Sequence, residues 1–295
     1  SLPAPVYLQI ACDRDTPADS LRLVFSEEFD REFAQIHIKD GEEDVMSAVV
    51  DEQIFTCKQS LTTEIIGRSM AALLLDNEAK PQNFVNITLG VLYSMYMKPC
   101  GVESFMDEDR CLQGAFNVSK GMSCWQVAES FGRKLFGKAP CVVGRVVDFS
   151  GKNQNGKLVF SDEGTGIPYT SFTHNRLRCR LISRIRAKTD VQGDYTTVIE
   201  NKEAADSDVT RERFLNASVL SAQSLSDGYD AIKKSSALSR EIKLECPVRL
   251  TGVIGADAVV KCRGKVYEDF YVKSLKYILD KKGESTLVTL HRKEN

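Results

Sequence analysis

The stretch EIIGRSMAALLLDNEAKP, residues 64–81, marks the point where the residue pattern changes from strand to helix. Glu64 to Gly67 closes a run of extended segments, and glycine suits the turn that follows because it has no Cβ. Ser69 is expected to cap a helix that begins at Met70, and Pro81 is expected to stop it. The stretch therefore predicts a junction between a β domain before it and helical structure after it.

Four polar residues of this stretch are expected to fix the junction. Asp76, Asn77 and Glu78 stand at the far end of the predicted helix, where short polar side chains commonly bond to nearby backbone. They are also placed to bond to Arg68. We predict that Gly67 and Arg68 have an architectural role.

The residues before the junction predict strands. Short β-type runs cover residues 6–10 and 21–25, and residues 33–39 alternate between apolar and polar types, as a half-buried strand does. An Asp-Gly turn follows, and residues 45–52 resume the extended pattern. Many short strands without intervening helices predict a small antiparallel barrel or sandwich.

The residues after the junction predict a mixed α/β region. A second apolar stripe with helical spacing comprises Phe84, Ile87, Val91 and Met95. A third helix is expected over residues 121–136, with Trp125 on its apolar face. Strand patterns return near residue 141.

The last 130 residues return to strands, with a short helix predicted over residues 228–236. We predict an α+β, predominantly β fold: two barrel-like β domains bridged by α/β elements. The expected boundaries are 1–66 for the first β domain, 67–165 for the connecting region, and 166–295 for the second β domain. A helical interruption near 203–240 belongs to the second domain.

The composition excludes several classes of protein. The 295 residues are 42% hydrophobic and 27% charged, which is typical of a packed globular chain and not of a disordered one. Lys and Arg total 39 against 41 Asp and Glu, so the net charge of -2 makes nucleic acid an unexpected partner. No apolar run is long enough to predict a membrane-spanning helix.

Nine scattered cysteines and three isolated histidines provide few candidates for catalytic or metal-binding residues. The cysteines form no CxxC pair, so we expect nine free thiols, synthesis in a reducing cytoplasm, and no metal site. His37, His174 and His291 have no ligand-like neighbour at metal-binding spacing. No phosphate- or dinucleotide-binding loop is complete. We expect no cofactor and no catalytic residue.

One spacing keeps an enzyme as an alternative. Gly67-Arg68-Ser69-Met70-Ala71 resembles a relaxed nucleophile elbow between a strand and a helix, which would make Ser69 the nucleophile of a hydrolase. The preceding hairpins and the places of the histidines favour a helix cap at Ser69 instead.

A basic strip is the other candidate site. It consists of Arg176, Arg178, Arg180, Arg184, Arg186 and Lys188. Even-numbered positions of a strand share one face, except where the chain bends near Ser183. The strip is either a solvated sheet face or a binding surface of a module for polyanions or glycans. No aromatic residues alternate with it, which argues against stacking of single-stranded nucleic acid.

In their order along the chain, four stretches resemble the phage late control D and tail baseplate hub family. The stretch at 64–81, with its Gly-Arg start and its LDNEAxP ending, is the most specific. FAQIHIKDGEEDVMSAVVDE at 33–52 is similar to the family's first-barrel hairpin, and NVSKGMSCWQVAESFGRKLF at 117–136 to its tryptophan-bearing helix. YVKSLKYILDKKGESTLVTLHRK at 271–293 resembles its terminal hairpin.

The resemblance implies a non-catalytic component of a virion tail baseplate. In that family three copies form a ring that joins the tail tube to the central spike. It implies a homotrimer with tube and spike proteins as partners. Within such a ring, the basic strip at 176–188 could face acidic segments at 42–44 or 107–109 of a neighbouring copy.

Overall fold

A computed structural model describes residues 2–149, 156–188, 193–216 and 221–294, with residues 221–225 described by their backbone only. The chain is 48% strand and 18% helix, so the predominantly β, α+β class is confirmed. It divides into two units. The first comprises residues 1–156, 248–254 and 274–286, and the second comprises 157–247, 255–273 and 287–295. The predicted boundaries at 66 and 165 stay a prediction, since compactness does not show which segments fold alone.

The elements up to residue 148 lie in the first unit. They are β1 (Tyr7–Asp13), β2 (Ser20–Phe25), β3 (Gln35–Asp40), β4 (Glu43–Cys57), β5 (Leu61–Ser69), α1 (Ala72–Asp76), β6 (Gln82–Thr88), α2 (Leu89–Leu92), a π-helical turn (Tyr93–Met97), a 3-10 turn (Lys98–Cys100), β7 (Ser104–Phe105), β8 (Cys111–Val118), α3 (Cys124–Phe136), β9 (Cys141–Val143) and β10 (Val146–Asp148).

The remaining elements begin at residue 157. They are β11 (Lys157–Ser161), β12 (Ser171–Arg176), a 3-10 turn (Arg178–Arg180), β13 (Arg184–Ala187), β14 (Thr197–Glu200), α4 (Lys202–Ala205), β15 (Glu212–Leu215), α5 (Ser221–Leu238), β16 (Arg240–Cys246), β17 (Asp257–Cys262), β18 (Lys265–Asp280) and β19 (Gly283–Arg292). The terminal β18–β19 hairpin is present as predicted, and α5 is longer than the helix expected over 228–236. No helix among the described residues is long and apolar enough to cross a membrane.

The strands of the first unit form the antiparallel hairpins that the sequence predicts. Their order is β19, β18, β1, β2, β5, β4, β3. Alternate side chains of β5 are buried, among them Ile65 at 0% exposure. They pack with Leu21, Leu23 and Phe25 of β2. One face of the sheet therefore forms a core of its own.

A second core in the first unit surrounds α3. Ser123 caps this helix, because its side chain accepts from the Gln126 N–H while the Gln126 side chain accepts from the Ser123 N–H. Trp125 and Phe131 are buried on one face, and Phe131 makes edge-to-face contacts with Phe116 and Phe149. The predicted helix is confirmed, with its start moved to residue 124 by the cap.

The second predicted apolar helix is wrong over its first half. Residues 82–88 form β6, which pairs with β8, and the helix begins only at Leu89. Thr88 Oγ1 accepts from the Val91 N–H, and Asp109 Oδ1 accepts from the Gly90 N–H, so helix donors are satisfied from that point. The pairing with β8 overrides the helical spacing of Phe84 and Ile87.

The strands of the second unit follow the order β12, β16, β19, β18, β17, β11. The segment 167–170 connects β11 to β16: the Ile167 N–H donates to Val159 O of β11 at 2.8 Å, and the Ile167 carbonyl accepts from the Ser161 N–H at 3.0 Å. Thr170 then donates to Glu245 O of β16. Among the residues that the structure describes, none of the sheets closes by strand pairing. A short segment, and not a full ladder, therefore connects β11 to β16 in this unit.

A comparable segment serves the first unit. Thr286 of β19 donates through Oγ1 to Val248 O and accepts from the Leu250 N–H. Between these two residues, Arg249 forms ion pairs with Asp40 and Glu43 at the β3–β4 turn. The segment 248–250 therefore connects the first and last strands of the series.

Gly67 lies within β5 and not at its end, which corrects the sequence expectation. A Cβ at Gly67 would stand 2.3 Å from the carbonyl oxygen of Val49 in β4. The register between the two strands shifts between Val50 and Glu52, so Asp51 is the extra residue of a β-bulge. Glycine is required because the backbones approach closely at this bulge, not because the chain turns into a helix.

We predict that Gly67→Ala lowers the free energy of unfolding by about 1–3 kcal/mol or more, because β4 must move away from the new methyl group. Gly156→Ala is the matched control, since a Cβ at Gly156 meets nothing within 4 Å. The control should change stability by less than about 0.5 kcal/mol. Urea unfolding of the two variants is the measurement, and equal stabilities would contradict the role of the close approach.

Candidate functional site

Arg68 connects the bulge of β4 to the end of α1. Its Nε and Nη2 donate to the two carboxylate oxygens of Asp51 at 2.7 and 2.8 Å, and its Nη1 and Nη2 donate to Asp76 at 3.1 and 2.8 Å. These bonds raise the pKa of the Arg68 guanidinium above its ordinary value. The planar fork of arginine suits such double contacts, which lysine cannot reproduce.

The two residues after Asp76 fasten the junction to the start of α3. Asn77 donates through Nδ2 to Leu73 O at 2.7 Å, and its carbonyl accepts from the Cys124 N–H at 2.8 Å. Glu78 accepts through Oε1 from the Gly121 N–H at 3.0 Å. We call the set from Asp51 through Arg68 and Asp76–Glu78 to Gly121–Cys124 the Arg68 junction.

Two other predicted site residues flank this junction. Trp125 follows Cys124 directly and is 6% exposed in the core around α3. Pro81 is exposed and comes directly before β6. The sequence pattern did not indicate Asp51, because the β-bulge that presents it is defined by the pairing of β4 with β5. The role of these residues in assembly stays a prediction.

Ser69 does not cap a helix, which corrects the sequence expectation. It is the last residue of β5 and is 9% exposed. Its Oγ accepts from the Asp19 N–H at 3.0 Å, and its own N–H donates to Asp19 O at 2.8 Å. Helix α1 begins at Ala72 after Ala71, without a side-chain cap. Ser69 thus ties β5 to the residue before β2, and the strand continues two residues further than predicted.

The structure divides the basic strip among three elements. Arg176 ends β12, Arg178 and Arg180 lie on a 3-10 turn, and Arg184 and Arg186 lie on β13 with Lys188 after it. The single strand pair expected over 176–188 is wrong. β12 pairs with β16, whereas β13 pairs with β14 and β15 in a separate sheet, so the chain must turn between them.

The two arginines of β13 form ion pairs with carboxylates of the same unit. Arg186 donates to Glu212 at 2.7 Å, and Arg184 lies 3.3 Å from Glu200 and 4.0 Å from Glu212. The Lys188 ammonium lies 4.9 Å from the centre of the Tyr195 ring. A polyanion would compete with these partners, so this face is less basic than its sequence suggests.

His174 lies on the buried side of the second unit. It is opposite Ile242 in β16 and makes an edge-to-face contact with Tyr267. Its Nε2 is buried without a hydrogen-bond partner. Burial, followed by the positive charges of Arg176 and Arg240, lowers the pKa of His174 below its ordinary value.

Within the ranges that the structure describes, no group of three or more His, Cys, Asp or Glu side chains is arranged to hold a metal ion. The arrangement of the Arg68 junction serves to fix backbone segments. Its carboxylates are all engaged with Arg68 or with backbone donors.

Solved structures share this fold over almost the whole chain. The tail protein from Neisseria meningitidis matches with a TM-score of 0.71 and 15% identity, covering 98% of this chain and 92% of that one. The 43 kDa tail protein of prophage MuSo2 from Shewanella oneidensis matches with a TM-score of 0.74 and 15% identity, covering 98% and 94%. No family model and no curated protein matches.

A longer protein contains the same fold. A chain of the Francisella PdpA-VgrG complex matches with a TM-score of 0.55 and 11% identity, covering 99% of this chain and 54% of that one. The chain therefore has the fold of phage tail proteins. The resemblance stated from the sequence motifs is confirmed at the level of the fold.

We predict that Arg68→Lys lowers the free energy of unfolding by about 1–2 kcal/mol, because one ammonium cannot hold both Asp51 and Asp76. Arg133→Lys is the matched control, since Arg133 forms an exposed pair with Glu129 one helical turn away. Such a pair contributes only about 0.3–0.5 kcal/mol. Urea unfolding measures both, and an equal loss in the two variants would contradict the special role of Arg68.

We predict that the free energy of unfolding falls as the pH drops below about 6.5, the ordinary pKa of histidine. The folded chain binds a proton on His174 less tightly than the unfolded chain does, so protonation favours unfolding. His174→Phe removes this group and should reduce the slope of stability against pH between about 7 and 5. His37→Gln, on the exposed side of β3, is the control for the loss of a histidine. An unaltered slope in His174→Phe would contradict the prediction.

Proposed function

We propose that this chain is a non-catalytic component of a phage or prophage tail baseplate, in which three copies form a hub ring between the tail tube and the central spike. It is synthesised in the cytoplasm of the bacterial host and becomes part of the virion tail. Its partners are further copies of itself, a tube protein and a spike protein.

The observation that carries this proposal is the extent of the fold likeness. Both tail proteins match over 98% of this chain and over nine-tenths of their own length. A shared small module would match over only part of a chain. The likeness to half of a chain from a PdpA-VgrG complex supports an assembly in which this fold is combined with a further protein segment.

The use of polar groups also supports a structural role. The Arg68 junction contains the residues that the sequence motif indicated. The contacts described above join segments of this chain to one another. Ser69, which the hydrolase alternative needs as its nucleophile, accepts a backbone hydrogen bond and ties two strands. A hydroxyl held in this way has a structural role, because its hydrogen bond joins two segments of the backbone.

The contacts of a ring would be mainly apolar. Of the acidic residues expected to face the basic strip, Glu43 pairs with Arg249, Asp107 accepts from the Phe149 N–H, and Asp109 caps α2. In contrast, Ile54, Phe55 and Leu61 are more than 40% exposed at the end of the β4–β5 hairpin. Phe55 and Leu61 lie on one face of the hairpin and Ile54 lies on the other, because neighbouring residues of a strand point to opposite faces. Exposed apolar groups at one hairpin end are typical of contact surfaces. We expect a neighbouring copy to cover this hairpin end.

The proposal is tested by the state of association of the full chain over a range of concentrations. Sedimentation equilibrium should show a species of three times the chain mass, and electron microscopy of negatively stained particles should show rings with three-fold symmetry. Phe55→Ser should shift the equilibrium toward the single chain. Val266→Ser, which alters another exposed apolar residue outside that cluster, is the control.

A monomer at the highest concentration, or a two-fold dimer, would contradict the ring, since a two-fold dimer uses one self-complementary surface. The alternative of a polyanion-binding module predicts retention on a heparin column up to high salt. Retention that is lost in an Arg176→Gln, Arg180→Gln variant would favour that alternative over the hub.

A further inference from the structure

A loop with four carboxylates joins β2 to β3 in the first unit. We call residues 27–32 the acidic loop; its exposed acidic side chains are Glu27, Glu28, Asp30 and Glu32. Among the residues that the structure describes, none of these four carboxylates forms an ion pair. In contrast, the segments at 42–44 and 107–109 contain carboxylates that are engaged within the chain.

Aromatic and backbone contacts hold the acidic loop in place without its carboxylates. The Phe29 ring makes edge-to-face contacts with Phe25 and Phe33, with ring centres 5.1 and 5.4 Å apart. The Glu27 carbonyl accepts from Thr63 Oγ1 of β5 at 2.6 Å. The loop therefore presents its carboxylates to solvent from a fixed backbone, and their substitution leaves these contacts intact.

The acidic loop borders the exposed apolar end of the β4–β5 hairpin. Gln53 of β4 donates through Nε2 to Arg31 O at 3.0 Å. Gln53 and Phe55 point to one face of the hairpin, because alternate residues of a strand share a face, and Thr63 is directly opposite Phe55. Leu61 lies on this same face. The carboxylates of the loop and the apolar side chains of the hairpin are therefore neighbours on one surface.

The second unit has exposed arginines without carboxylate partners. We call residues 176–180, at the end of β12 and on the following 3-10 turn, the arginine turn; its arginines are Arg176, Arg178 and Arg180. Arg178 donates to the Ser207 carbonyl, and within the described part of the chain none of the three pairs with a carboxylate. The Leu177 N–H donates to Ser239 O at 2.8 Å, which fixes the backbone of the turn independently of the guanidinium groups.

Neighbouring side chains do not neutralise the arginine turn. Arg176 is directly opposite Arg240 of β16, where like charges repel each other. Arg240 shares the carboxylate of Glu203 with Arg292, and each guanidinium lies 3.0 Å from it. Arginines around the turn therefore outnumber carboxylates, even with the two exposed aspartates of residues 206–208 included. A carboxylate from outside the chain would relieve this repulsion.

Exposed apolar side chains also adjoin the arginine turn. Arg211 donates through Nη1 to Leu181 O at 2.6 Å, which connects the end of the turn to the start of β15. Val198 of β14 and Phe214 of β15 are exposed, and both are opposite Arg186 of β13 on one face of this small sheet. Each of the two surfaces thus combines charge with apolar groups, and their charges are of opposite sign.

We propose that the acidic loop of one copy binds the arginine turn of the next copy in the ring. The inference rests on the proposed function and names the charged surfaces through which the copies recognise each other. The two surfaces are different, so the contact repeats head to tail, as a ring of three identical chains requires. Charged contacts of this kind set the orientation and the rate of association, whereas apolar contacts hold the copies together.

The test mixes two variants of the full chain and joins their thiols with a short bis-maleimide cross-linker. The first variant carries Ser26→Cys at the edge of the acidic loop together with Cys179→Ser. The second keeps the native, exposed Cys179 of the arginine turn, and both carry Cys57→Ser to remove the other exposed thiol. Neither chain contains both thiols, so a peptide that joins positions 26 and 179 in mass spectrometry must connect two copies.

We expect this peptide at low ionic strength and its loss at about 1 M salt, where charges are screened over about 3 Å. Glu28→Lys with Asp30→Lys in the first chain should lower the yield by about tenfold or more, because like charges then face each other. Arg176→Glu with Arg180→Glu in the second chain should do the same. When both chains carry their reversed charges, the yield should return, which separates the contact from any loss of folding.

The matched control replaces Ser26→Cys with Ser119→Cys, an exposed position on another loop of the first unit, and should give no peptide linked to position 179. The proposal is overturned if the 26–179 peptide is absent, if the control gives an equal yield, or if the two charge reversals together fail to restore it. A trimer of the unmodified chain without the 26–179 peptide would leave the ring intact and refute this contact. A charge-dependent 26–179 peptide without any trimer would support the contact and refute the ring.

Discussion

The close approach of Gly67 to the Val49 carbonyl is the constraint on which the first unit depends. It holds β4 and β5 together at a bulge, and the bulge projects Asp51 toward Arg68. Arg68 then holds Asp76 at the end of α1, so the path of the chain out of the sheet is fixed at the same place. A side chain at position 67 would move the bulge and leave the arginine without one of its two carboxylates.

In each unit, a short segment forms hydrogen bonds to strands that do not pair with each other directly. Residues 248–250 connect the ends of the strand series in the first unit, and residues 167–170 connect β11 to β16 in the second. Unpaired strand edges promote association with other chains, so such segments limit where that association can occur. A chain that assembles into a larger particle needs this control, because it must expose some surfaces and cover the rest.

Parts of this structure were predictable because several local signals agree. Helix α3 has an apolar face, a capping box and a glycine after its last residue, and it forms where these signals place it. β6 has helical spacing but pairs with β8, a contact distant in sequence that no local pattern contains. The alternation at 176–188 is regular, yet the chain turns between β12 and β13 because their pairing partners lie in different sheets. The Arg68 junction was predictable only in part. Asp76 is near Arg68 in sequence, whereas the bulge in β4 brings Asp51 to it.

The ionic groups of this chain act mainly on the chain itself. Arg68, Arg249, Arg184 and Arg186 each bind carboxylates of the same unit. Since exposed ion pairs contribute little stability, their value here lies in fixing where turns, bulges and strand ends meet. The exposed apolar side chains at the end of the β4–β5 hairpin are the surface that the proposed ring would use.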